Sequence, residues 1–141
     1  MRNRVSTGRR RARPRHRGAV VVEFAIVASV FFVFLIAAFE FGRVNVIRHT
    51  ADNAAYEAAR HAIVPGATSA EVVARANSIL NVVGTRGARV TINPTTLGPD
   101  VDTVTVTVEV PMAINGWIAP RFTTATTLRS VSTMRTERAD Q

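Results

Sequence analysis

A chain of 141 residues has room for one small domain, and the absence of cysteine excludes disulfides, thiolate metal sites and cysteine nucleophiles. The formal net charge of +8 is unevenly placed: the first 18 residues hold eight arginines and no acid, and the remaining ten arginines balance ten acids. The pI near 11.7 therefore describes a tail and argues against a basic, nucleic-acid-binding domain.

Residues 1–18 (MRNRVSTGRRRARPRHRG) contain Pro14 and show no apolar periodicity. Like charges repel along such a run, which predicts a disordered basic leader. From Ala19 to Phe39 only Glu23 and Ser29 interrupt 21 otherwise apolar residues. As a helix rising 1.5 Å per residue this stretch spans roughly 31 Å, about the hydrocarbon thickness of a bilayer. It is too long for an ordinary secretory apolar region, and no small-x-small cleavage site follows it. The hundred residues that follow are too few to bury such a helix, so the sequence predicts a transmembrane helix over 19–41 and an extracytoplasmic domain over 42–141. Eight arginines precede the span, whereas Arg43 and Arg48 follow it. The positive-inside rule then predicts a single-pass protein of the inner (cytoplasmic) membrane, with its N-terminus in the cytoplasm.

No helix breaker follows Phe39 until Pro65-Gly66. Val44, Ile47, Ala51, Ala54, Ala55, Ala58 and Ala62 recur at threes and fours, so the helix is expected to continue to about Val64 with a small, apolar face. Thr68 and Glu71 have capping-box spacing. A second helix is expected to run to about Val83, with Val72, Val73, Ala76, Ile79, Leu80 and Val83 on one face and Gly84 as its stop. The period then changes to two. Ala88–Asn93 reads as a short strand, Asp102–Val110 alternates valine with threonine or glutamate, and a third strand is expected over about Thr123–Arg135. The fold class predicted is α+β: a long N-terminal helix, a short helix, and a small antiparallel sheet of about three strands whose valine face packs on the helices.

The chemistry of the chain is sparse. His49 and His61 are twelve residues apart and share no turn, and Glu57 and His61, i,i+4 neighbours, read as a solvated face. No metal-binding, nucleophile-elbow or phosphate-loop motif is present. No catalytic residue, cofactor, metal, nucleic acid or small-molecule substrate is expected. Trp117 reads as a core plug or loop anchor. Glu40 and Arg43 read as an i,i+3 pair marking the outer membrane boundary, with an inter-subunit contact as the alternative. Glu23 is an acid in an apolar span, which by default marks a functional site unless it snorkels to the nearby interface.

One constellation is specific. A basic leader ends at Gly18, an apolar helix begins at Ala19, and Glu23 followed by Phe24 stands at the fifth position after the glycine. This resembles the cleavage and assembly signature of type IV pilin-like proteins. More closely, residues 17–43 (RGAVVVEFAIVASVFFVFLIAAFEFGR) resemble the start of the TadE-like family of tight-adherence pilus-assembly pseudopilins. The EFGR segment, the alanine-rich helix and the close at Met134-Arg135-Thr136-Glu137 extend that likeness. The resemblance implies a pilin-like fold and cutting between Gly18 and Ala19 by a prepilin peptidase. It also implies that Glu23 pairs with the freed ammonium of Ala19, on its own or a neighbouring subunit. The implied partners are that peptidase, other pilin-like subunits, secretion-machine membrane proteins and the bilayer. The Ala54–Ala62 face would allow close approach of a neighbouring helix. The competing expectation is an uncleaved bitopic anchor whose outer domain binds a protein partner.

Overall fold

The structure, a computed structural model, describes residues 17–98, 100–116 and 126–136. Its elements, in chain order, are α1 (Arg17–Ala62), α2 (Ser69–Val82), β1 (Arg89–Asn93), β2 (Thr103–Pro111), a 3-10 turn (Met112–Ile114) and β3 (Thr127–Arg135). The sheet is antiparallel in the order β1-β2-β3. The expected α+β arrangement is the one found. By compactness the chain divides into two units, Met1–Ile36 and Ala37–Gln141.

In the first unit, the described residues form the apolar part of α1, and its side chains from Val20 to Ile36 are largely exposed. Ser29, the one hydroxyl in this stretch, donates to the carbonyl of Ala25 at 2.8 Å. That local bond satisfies a polar group which an apolar environment would otherwise penalise.

The second unit has one core. Ile47, Ala51, Ala54, Ala55, Ala58, Ala59 and Ala62 of α1 meet Val72, Ala76 and Leu80 of α2. They also meet Ile92 of β1, the four valines 104, 106, 108 and 110 of β2, and Met112. Alternation explains the sheet's contribution: β2 turns every valine inward and its threonines and Glu109 outward. Small residues on α1 let its backbone lie close to the valines, which fill the space that longer helix side chains would otherwise take. The alanine face is therefore spent within the chain. All of Ala54, Ala55, Ala58 and Ala59 are fully buried, so the expected approach of a neighbouring helix on Ala54–Ala62 is corrected: the surface that meets them is the protein's own sheet and second helix.

The ends of α2 are built as the sequence predicts. Thr68 accepts from the Glu71 amide, and the Glu71 carboxylate receives the Thr68 amide and hydroxyl, each at 2.9 Å. Those bonds, the backbone one foremost, hold the Glu71 carboxyl below its ordinary pKa. At the other end Gly84 adopts φ +66°. Its amide bonds to Asn81 O and that of Thr85 to Leu80 O, which completes a Schellman closure. On the outer face of the sheet, Thr105 and Thr133 hydroxyls meet at 3.0 Å, and Arg129 lies 3.8 Å from Glu109.

Candidate processing and assembly site

Gly18, Ala19, Glu23 and Phe24 lie in the first two turns of α1, and all four are exposed. Helical geometry makes Ala19 and Glu23 i,i+4 neighbours on one face, about 6 Å apart along the axis. A cation at position 19 and the carboxylate at 23 would thus be in register for pairing within one helix. Phe24 follows on a neighbouring face with its ring 71% exposed. Gly18 itself is helical, in the first turn, where amides have no intrahelical acceptor and opening the backbone costs little.

At the other end of the apolar run, Glu40 and Arg43 are both half-buried. The Arg43 Nε donates to the carbonyl of Asn115 at 2.6 Å. Asn115 is buried, and its side chain clamps the α2–β1 connection. It accepts from the Arg86 amide at 2.8 Å and donates to Arg86 O at 2.8 Å and Pro111 O at 2.7 Å. In the sequence Asn115 reads only as a loop residue. The Asn-Gly dipeptide is a turn signal, but nothing in it points to a partner 29 residues away.

The remaining polar groups are structural in their geometry. Glu57 and His61 are half-exposed, and on that open face Arg75 of α2 lies 3.6 Å from the Glu57 carboxylate. Asp52 accepts from the inward-pointing Ser130 hydroxyl at 2.6 Å and so ties α1 to β3. His49 and His61 come no closer to a shared site than their spacing suggests. No group of three potential metal ligands occurs among the described residues. The leader up to His16, Trp117 and Glu137 lie outside the described residues.

The molecule thus joins a helix long and apolar enough to cross a membrane to a small α+β domain built on that helix's distal half. Residues 18–60 match the family model described as TadE-like protein, the family that the N-terminal segment resembles. The matched residues cover most of α1 and none of the sheet. No curated protein and no solved structure matches the chain.

Proposed function

We propose that this protein is a pseudopilin or minor pilin-like subunit of a tight-adherence pilus or a related secretion apparatus. It is held in the inner membrane with its N-terminus in the cytoplasm and matured by a prepilin peptidase that cuts after Gly18. The observation that carries this reading is the start of the family match: it begins at Gly18, the residue after which the cut is expected, and runs on through α1 to Arg60.

The mechanism follows from the first turns of α1. Eight arginines hold the leader at the cytoplasmic face. Glycine before the scissile bond lets the chain extend into a narrow peptidase cleft, and the few hydrogen bonds of a helix's first turn make that extension inexpensive. Cleavage exposes the ammonium of Ala19. An unpaired carboxylate within an apolar span costs a few kcal/mol, so Glu23 favours a state in which that ammonium, its own or an adjacent subunit's, neutralises it. Subunits then associate through the exposed apolar surface of residues 20–36.

The test is N-terminal sequencing and intact mass of the mature protein extracted from membranes, beside a Gly18→Leu variant. The expected result is a chain starting at Ala19, with the variant retained at full length. An intact leader, in cells that process other pilins, would leave an uncleaved bitopic anchor and return Glu23 to a snorkelling interfacial charge.

A further inference from the structure

Three elements meet where the apolar run of α1 ends. Asn115 binds Arg43 of α1 through its carbonyl and the α2–β1 connection at Arg86 through its side chain. Ile114, the residue before it, lies against Gly87, so close that a β-carbon on that glycine would sit 2.7 Å from the Ile114 Cδ1. A shallow apolar hollow lined by Phe39, Arg43, Val46, Ile47 and Val83 joins α1 to the C-cap of α2 at the same level.

Large apolar side chains at this end project outward. Phe41 is 81% exposed, Val82 84% and Ile114 55%, and Phe39 and Val46 are also more than half exposed. Scattered exposed aliphatics are ordinary on a soluble surface. Here they come from three separate elements, gathered at the one end of the domain from which the membrane-spanning segment departs. Arg86, exposed in the same connection, adds a cation at that level.

We propose that this end of the domain is a lipid-docking surface: Val46, Val82 and Ile114 enter the interfacial layer of the bilayer beside Phe39 and Phe41. Arg86 meets phosphate headgroups there. The inference rests on the membrane-spanning reading of α1. Continuity favours lipid over other occupants, because residues that follow directly on an apolar helix of roughly 31 Å emerge at headgroup level. Aliphatic side chains at that depth gain from burial, and a basic residue gains from anionic headgroups.

The absence of cysteine allows single-site labelling of the full chain. Phe32→Cys, Ala70→Cys, Val82→Cys and Ile114→Cys would each carry an environment-sensitive fluorophore in vesicles of phosphatidylcholine and phosphatidylglycerol. Lipids with a nitroxide at the headgroup or deep in the acyl chain serve as quenchers. Ala70 is exposed at the opposite end of α2, about 18 Å from Val82 by helical rise. The expected result is blue-shifted emission and headgroup-level quenching at positions 82 and 114, deep quenching at 32, and a water-like, unquenched signal at 70. If positions 82 and 114 behave like 70 while 32 is quenched, lipid docking is wrong and the span stands. Failure of deep quenching at 32 overturns the span itself, and this proposal with it. A blue shift at 82 and 114 that disappears as protein is diluted in lipid assigns the surface to a second copy of the chain instead.

Discussion

Asn115 shows how much of this small domain hangs on single polar side chains. It is almost completely buried and uses one acceptor and two donor contacts to hold the Arg86 and Pro111 backbone, while its own carbonyl receives Arg43. Truncation strands buried backbone groups, so Asn115→Ala is expected to cost about 2–3 kcal/mol. Asn115→Asp keeps the acceptor for the Arg86 amide but loses both donors, and should fail to restore stability. Urea unfolding of the full chain in detergent measures both, and an unchanged midpoint for the alanine variant would show that the clamp is dispensable. Thr85 is the opposite case. Its hydroxyl is buried with no hydrogen-bond partner among the described residues. Thr85→Val, which keeps the shape and removes the stranded oxygen, should therefore be neutral or stabilising by up to about 1 kcal/mol in the same unfolding measurement.

At the scale of elements, α1 uses its length in two ways, and the alanine face decides what variants there would do. Ala58→Leu adds three carbons to a fully buried position and should destabilise the domain by about 1–3 kcal/mol, whereas Tyr56→Leu, at a half-exposed neighbour, should do little. Neither change touches the apolar residues 18–36. Limited proteolysis in detergent separates the outcomes, and a protease-resistant Ala58→Leu domain would refute the packing described. The cap of α2 makes a prediction with a sign. Its hydrogen bonds lower the Glu71 pKa, so the capping contribution is complete above the ordinary glutamate value of 4.5 and is lost as pH falls through the lower folded value. The stability gap between the wild type and Glu71→Gln should accordingly narrow on acidification below about pH 4.5, and a gap that widens there would contradict the cap.

Periodicity made most of these elements legible in advance. The threes and fours of α1, the Thr68–Glu71 box, the stop at Gly84 and the valine alternation of β2 are local patterns whose physics is local. The illegible parts depend on residues far apart in sequence. Small residues at positions 54–62 announce a close approach but not to what, and their neighbours prove to be β2 and α2. β3 carries Leu128, Ser130, Ser132 and Met134 on its inward side and Val131 outward, so polarity alone could not orient it, and Ser130 turns in to meet Asp52. At the candidate site, the spacing of Gly18, Ala19 and Glu23 was legible because a single helix sets it.

For the whole molecule, the leader carries the entire net charge. Residues 19–141 hold ten arginines against ten acids, so removal of residues 1–18 should move the isoelectric point from about 11.7 to near neutrality. Isoelectric focusing of the precursor and of the membrane-extracted mature form checks this, and a mature form still focusing in the strongly basic range would argue against a cut after Gly18.

Because α1 supplies one wall of the core, a pull along its axis would load the alanine–valine interface in shear, with the contacts from Ile47 to Ala62 resisting together. The Arg43–Asn115 bond ties the same helix to the turn after β2. Such a load would meet the core all at once instead of peeling it open strand by strand.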